Sequence, residues 1–249
     1  MTPEISIVVP AYEEEERLGR SVETVLEFLS QNSVSSELIV VDDGSRDRTA
    51  DMAAAAFESE RDIPSKVIRY EQNRGKGYAV KTGLLASTGR IALFSDADLS
   101  TPIEEMWKLI QPIRDGEYDV TFGSRALDRS LIGTHQPWRR EQGGKVFNLV
   151  VRTLTGMPFW DTQCGFKAFH MPRFRPLLDL MQIDRFGFDV EFLYVAKLHG
   201  LRLKEIPVRW NNDERSKVNV MRDSVRMFKE VTEIRRNAKR GAYNDDSKA

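Results

Sequence analysis

Strand-like and helix-like runs alternate strictly through the first 124 residues, and that alternation leaves few folds open to the chain. Ile5 to Pro10, Glu37 to Asp42, Lys66 to Tyr70, Arg90 to Ser95 and Asp119 to Phe122 read as strands. Between them, Glu16 to Ser30 carries Leu18, Val22, Val25, Leu26 and Leu29 at helical spacing, and Arg48 to Phe57 is alanine-rich behind Asp47, a natural N-cap. Gly77 to Ser87 and Pro102 to Arg114 complete the helical set, the latter opening on a proline in its first turn. Runs such as Ile-Val-Val and Leu-Ile-Val-Val are apolar on both faces, which predicts an α/β fold with a mostly parallel sheet and helices on both sides. Ligands of such sheets bind beyond the carboxyl ends of the strands, where Tyr12, Asp42, Asp43, Asp96 and Asp98 all fall.

After residue 125 the alternation stops. Trp138 to Leu154, Phe188 to Gly200 and Val218 to about Arg240 read as helices, and Lys204 to Trp210 as a strand. With no internal repeat and no Pro/Gly/Ser-rich linker, the expectation is one domain over residues 1–240. Its two halves are sheet-based (1–124) and helix-rich (125–240), and residues 241–249 read as a disordered tail.

At 41% hydrophobic and 30% charged residues, the composition is that of a soluble globular protein. No run approaches the roughly 20 apolar residues that cross a bilayer. Met1 stands a few residues before the first strand, so no signal peptide and a cytoplasmic address are expected. Cys164 is the lone cysteine, which excludes an internal disulfide and a Cys-rich zinc site, and His135, His170 and His199 are scattered without ligand spacing. A metal must therefore be held by oxygen. Residues 1–60 carry 14 acidic and 4 basic side chains, whereas residues 125–185 carry 10 basic and 5 acidic. The first segment needs a cation to attract a phosphate, the second can hold an anion directly, and solvated surface is the plainer reading of both.

Asp96 and Asp98 stand one residue apart at the end of the fourth strand, where an extended backbone would point both carboxylates toward one site. Mg²⁺ and Mn²⁺ are bound in that way, by one or two carboxylates together with substrate phosphates. Behind Pro10, Tyr12 offers an aromatic face to a base and Glu14 a carboxylate to a ribose; an acidic helix start is the other reading. Asp42 could accept from a nucleobase imino group, while Asp47 and Thr49 suit helix capping. Asn73-Arg-Gly-Lys-Gly77 reads either as a phosphate cradle with Lys76 or as a tight turn, and it matches neither the P-loop nor the dinucleotide spacing. Asp161 to Lys167 reads as a structured loop with Cys164 as a packing residue, and Asp189 and Glu191 read as helix caps.

In order and with plausible gaps, Val-Val-Pro-Ala-Tyr, Val-Asp-Asp-Gly-Ser, Asn-Arg-Gly-Lys-Gly, Asp-Ala-Asp, Gly-Ser-Arg, Asp-Thr-Gln-Cys-Gly-Phe-Lys and Phe-Asp-Val-Glu run along the chain. They resemble family 2 glycosyltransferases of the GT-A fold, from about Ile5 to Arg236. Within that family the likeness is to enzymes that charge dolichyl-type (polyprenyl) phosphates with glucose, the mannosyl enzymes coming next.

The resemblance implies a nucleotide-sugar donor, UDP-glucose, held by Pro10, Ala11, Tyr12, Glu14, Asp42, Asp43, Lys76, Asp96 and Ala97, with Mg²⁺ or Mn²⁺ on Asp98. It implies a polyprenyl phosphate acceptor at Arg125, Arg139, Arg140, Gln163 and Lys217, with Asp161 and Asp189 orienting it or acting as base. Glucose would pass with inversion to give a β-linked product. No nucleic acid is expected as a partner, and the oligomeric state stays open.

Three departures stand out: Glu13 replaces a frequent Asn, Ser100 replaces the Gln that mannosyl enzymes use on the metal, and the N-terminal anchor of eukaryotic glucosyl enzymes is not seen. Met221, Val225, Phe228 and Val231 form an apolar stripe on a basic last helix, suited to a membrane surface or to packing on the domain. The competing classes are a GDP-mannose enzyme, a transferase with a non-lipid acceptor, a sugar nucleotidyltransferase and a silent nucleotide-sugar binding module.

Overall fold

The computed structural model describes residues 2–59, 62–134, 136, 138–213 and 220–244, and for 139, 140 and 220–225 the backbone alone. Its strands are β1 (Ile5–Ala11), β2 (Ser36–Asp42), β3 (Ser65–Arg69), β4 (Ile91–Ser95), β5 (Val120–Ser124), β6 (Ile132–Thr134), β7 (Phe166–His170), β8 (Leu203–Pro207) and β9 (Trp210–Asn211). The helices are α1 (Leu18–Gln31), α2 (Thr49–Ala56), α3 (Lys76–Ala86), α4 (Met106–Arg114), α5 (Trp138–Thr155), α6 (Met171–Phe174), α7 (Phe188–Leu198) and α8 (Val220–Lys239).

Seven strands form the main sheet in the order β3-β2-β1-β4-β7-β5-β8, with β7 antiparallel to both of its neighbours and the other pairings parallel. The second half thus supplies β7 and β8 to the sheet begun by the first. Along β1, Ile5, Ile7 and Val9 point into a core under α1, α2 and α4, whereas Val8 points into the opposite core with α3, α7 and α8. The second core is aromatic, built around Phe94, Phe169, Phe174, Phe188 and Phe192 with ring centroids 4.2 to 6.5 Å apart. On α3, a Cβ at Gly83 would lie 2.3 Å from Val8 Cγ1, so only glycine lets that helix sit directly on β1.

Three expectations need correction. Phe166 and Lys167 lie in β7, in the middle of the sheet, rather than in a loop. A lysine inside a five-residue run hides the strand, and it is tolerated there because Lys167 Nζ is bonded to Asp189 Oδ1 and to the Cys164 carbonyl, each at 2.6 Å. The strand expected over Lys204 to Trp210 breaks at Pro207, because the Arg209 N–H turns to Glu105 Oε2 at 3.1 Å, and β9 pairs with β6 in a separate two-stranded sheet. Within the expected tail, Gly241 to Asn244 is ordered and Tyr243 is 2% exposed. In the α8 stripe, Val231 is fully buried beside Ile234, so that part packs on the domain, while Phe228 stays 50% exposed. The side chains of Met221 and Val225, and all of Val218, lie outside the described residues.

Candidate active site

The carboxyl ends of β1, β2 and β4 open into a cleft of about 920 Å³ whose far wall comes from the second half of the chain. Pro10 ends only one ladder: pairing with β4 stops at Val8, while pairing with β2 continues to Ala11, so its missing N–H costs no sheet bond. Tyr12, 38% exposed, then projects at the cleft rim. Asp43 is buried and organises the next loop, its carboxylate accepting the Arg74 and Gly75 N–H groups and Asn73 Nδ2, all at 2.8 Å. That loop delivers Lys76 to the cleft, and Gly75 (φ +116°) has no room for a Cβ, which would lie 2.5 Å from the Asp184 carbonyl oxygen.

Asp96 and Asp98 both line the cleft, though not by strand alternation. Strand β4 ends at Ser95, and a turn closed by the Leu99 N–H on the Asp96 carbonyl (3.1 Å) carries the two carboxylates. Asp96 Oδ1 lies 2.5 Å from Lys76 Nζ, and Asp98 Oδ1 accepts the Ser100 N–H at 2.9 Å. A Cβ at Gly165 would stand 2.1 Å from Asp96 Oδ2, so the loop before β7 packs against this carboxylate only as glycine. Burial and the charge of Asp96 push the Asp98 pKa up. Burial opposes the charge on Lys76, yet Asp96, Asp189 and Asp98 hold its pKa above the ordinary lysine value.

On the wall supplied by the second half of the chain, Arg125 forms a fork with Asp161, Nε to Oδ2 at 2.7 Å and Nη2 to Oδ1 at 2.8 Å, beside the Trp210 ring. Burial works against it, but Arg125 holds the Asp161 pKa below the ordinary carboxylate range. The loop bearing Asp161 is fixed by buried Glu205, which accepts the Trp160 and Asp161 N–H groups at 2.8 and 2.7 Å and the Ser124 hydroxyl at 2.6 Å. Asp189 caps nothing: it faces Lys167, and burial pushes its pKa up. Glu191 also turns inward, away from the helix end.

Of the residues singled out in the sequence, Pro10, Ala11, Tyr12, Glu14, Asp43, Lys76, Asp96, Asp98, Arg125, Asp161, Gln163 and Asp189 come together on this cleft. Glu14 is also paired with Arg17, with Oε1 2.6 Å from Nη2. Asp42 is fully buried and faces the Ser45 N–H at 3.0 Å and Arg69 Nε at 3.2 Å, away from the cleft. Ala97 packs in the core under α1 and α4. Arg139 and Arg140 sit on α5 with side chains outside the description, as is Lys217 altogether. The structure adds Arg17, Arg185 and Arg226 to the cleft wall, Arg17 Nη1 standing 3.0 Å from Asp213. Sequence offers little signal for them, since each reads as a helix-surface or loop cation.

The donor set suits a hard divalent cation. Asp96 Oδ1 is buried without a hydrogen bond, Lys76 being its ionic neighbour, and the raised pKa of Asp98 marks a pair short of positive charge. Among the described residues no three His, Cys, Asp or Glu side chains converge, so the remaining coordination would fall to substrate phosphate and water.

Comparison with known proteins bears on the same residues. A sequence profile of Glycosyl transferase family 2 matches residues 6–176. A dolichyl-phosphate beta-glucosyltransferase of Dictyostelium discoideum is 33% identical over 241 residues, covering 93% of this chain and 73% of the relative. One of Drosophila melanogaster is 36% identical over 228 residues, covering 86% and 69%. In structure, glucosyl-3-phosphoglycerate synthase of Mycobacterium tuberculosis, solved with Mn²⁺, UDP-glucose and phosphoglyceric acid, superposes with a TM-score of 0.66 at 22% identity, covering 93% of this chain and 78% of that one. Mannosyl-3-phosphoglycerate synthase of Rubrobacter xylanophilus superposes with a TM-score of 0.69 at 18% identity, covering 98% and 77%. By sequence and by sheet architecture, the chain belongs to glycosyl transferase family 2 and has the GT-A fold.

Proposed function

We propose that this chain transfers glucose from UDP-glucose to a polyprenyl phosphate of the dolichyl type, with inversion, giving a β-linked lipid phosphate sugar. One observation carries the acceptor class: the carboxylates at that end of the cleft are bonded to cations, Asp161 to Arg125 and Asp189 to Lys167. No histidine is among the described residues of its lining. A hydroxyl acceptor would want a free base. A phosphate monoester, with a second pKa of about 6, is already an oxyanion at neutral pH and needs positioning instead.

In this reading Tyr12 stacks on the base, Lys76 meets the donor diphosphate, and Arg125, held rigid by Asp161 and Glu205, presents its remaining N–H donors to the acceptor phosphate. An acceptor oxygen bonds to the sugar C1 as the C1–O bond to UDP breaks on the opposite face, and the diphosphate leaves with the electron pair. Mg²⁺ or Mn²⁺ on Asp98, with Asp96 beside it, supplies neutralising charge for that leaving group. Support for the glucosyl and lipid assignments comes from the names of the relatives at 33% and 36% identity.

A lipid acceptor brings the cleft to a membrane. No helix among the described residues is long and apolar enough to cross one. Helices α5 and α8, which both contribute residues to the cleft, instead expose Val146 and Leu149 on the first and Phe228 on the second, with Trp160 exposed beside Arg152 and with Lys145 and Lys229 on the same two helices. Aromatic and aliphatic groups among cations suit peripheral binding to the cytoplasmic face of an anionic bilayer.

A panel of nucleotide sugars incubated with Mn²⁺ and a short polyprenyl phosphate, read by mass spectrometry, tests donor and acceptor together. A glucosyl lipid phosphate formed from UDP-glucose is expected. Exclusive use of GDP-mannose would overturn the donor, and no lipid product from any donor would overturn the acceptor.

A further inference from the structure

A buried carboxylate that the transfer does not use joins the turn at Gly241 to Asn244 to the segment behind Lys76. Glu191 on α7 is fully buried. Its oxygens accept the Gln182 N–H at 3.0 and 3.1 Å, the Ile183 N–H at 2.9 Å and the Tyr243 hydroxyl at 2.6 Å. Tyr243 is itself anchored, its carbonyl oxygen 2.8 Å from His199 Nε2. One residue beyond Ile183, the Asp184 carbonyl accepts the Tyr78 N–H at 3.0 Å. A Cβ at Gly75 would lie 2.5 Å from that same oxygen, and one at Gly77 2.7 Å from the Ile183 carbonyl. Residues 183–184 therefore press on both neighbours of Lys76. From α8, Asn237 Nδ2 donates to Gln182 Oε1 at 3.1 Å and Glu230 Oε2 accepts the Gly187 N–H at 2.6 Å, so the C-terminal helix grips this segment at both ends.

We infer that Tyr243 is a positioning residue for Lys76: its hydroxyl orients Glu191, Glu191 fixes residues 182–184, and those residues set the first turn of α3. The inference rests on the reading that Lys76 meets the donor diphosphate. A carboxylate with no solvent depends on every donor it has, and removing the hydroxyl leaves Oε1 with only the Gln182 N–H that it shares with Oε2, which loosens the segment the carboxylate holds. Burial raises the Glu191 pKa while the hydroxyl and the two amides counter it, which agrees with a carboxylate dependent on these bonds. The Lys76 ammonium, 2.5 Å from Asp96, tolerates little displacement.

Calorimetric titration of UDP with Mn²⁺ into wild type, Tyr243→Phe, Lys76→Ala and the double variant tests the link. Tyr243→Phe keeps the buried ring and is expected to weaken UDP about five- to tenfold, the effect of one ordinary hydrogen bond. Turnover at saturating donor should stay within about twofold, because the change acts on donor binding. In the Lys76→Ala background the loss should shrink below about twofold. Wild-type affinity in Tyr243→Phe, or the same loss in both backgrounds, would overturn the inference. Hydrogen exchange reads the link without any donor: the Tyr78 amide should exchange about tenfold faster in Tyr243→Phe, and unchanged exchange would also overturn it. Wild-type UDP affinity in Lys76→Ala, alongside faster Tyr78 exchange in Tyr243→Phe, would strike the donor reading and leave the link standing.

Discussion

The two walls of the cleft are charged in opposite styles. On the donor wall, Asp96 and Asp98 stand together, with Lys76 paired to the first and Lys76 and Arg17 both acting on the second, and burial and the charge of Asp96 still lift the Asp98 pKa. On the acceptor wall, charges come in closed pairs, Arg125 with Asp161 and Lys167 with Asp189. The contrast separates two tasks. In the proposed reading, the first wall is completed by a cation and a diphosphate when the donor binds, whereas the second, its charges already paired, is rigid beforehand and offers only the outer donors of its arginine.

Asp98→Ala strikes the donor wall most directly. Loss of the proposed metal carboxylate should lower turnover by about a hundredfold or more, comparable to removing a principal electrostatic contact in a transition state. Wild-type turnover across a Mn²⁺ titration would show that the donor wall does not work through Asp98. On the opposite wall, Asp161→Ala leaves Arg125 without its fork and should cost about 3–5 kcal/mol of stability as well as acceptor affinity. Denaturant unfolding checks the first part, and a stability loss below about 1 kcal/mol would mean that the pair is not a rigid element. Arg125→Lys keeps the charge but loses the planar fork, and about a tenfold rise in KM for the lipid phosphate with little change in KM for UDP-glucose is expected. Equal changes in both constants would erase the division into donor and acceptor walls.

The smallest expected effect lies at the far end of the sheet and serves as a control. Asp119 is buried; burial opposes ionisation, but Arg202 and Arg173 hold its pKa below the ordinary value. Because the folded pKa is depressed, its contribution is present above the unfolded value of about 3.9 and fades as pH falls through the folded one. Asp119→Asn should therefore flatten the acid limb of the melting curve below about pH 4 while leaving transfer at neutral pH unchanged. A change in activity would mean that this end of the sheet is coupled to the cleft.

Legibility followed the same division. The donor wall was readable because its groups come in short runs just past strand ends, as Asp43 does after β2 and Asp96 with Asp98 after β4, although the bonds from Asp43 that hold the loop before Lys76 reach across 31 and 32 residues. Even there, orientation was not readable. Asp42 and Asp43 are adjacent, and only the packing of Arg69 and Ser45 against the first and of Asn73 against the second decides which one reaches the cleft. On the acceptor wall, Arg125 and Asp161 meet across 36 residues and Lys167 and Asp189 across 22, and nothing in the intervening chain announces either pair.

The alternating α/β architecture, the strand-end location of the cleft, the family, and the carboxylate pair at Asp96 and Asp98 are legible in the order of the amino acids. Those features are written in periodicity and short motifs, which act over a few residues. Tertiary structure alone decided that a lysine could sit in a central strand, that Glu14 belongs to Arg17, and that Tyr243 closes on Glu191 instead of trailing into solvent. Each is the neutralisation or satisfaction of a polar group by a partner distant in the chain or chosen among near neighbours, and burial makes such pairing obligatory while leaving the choice of partner to the fold.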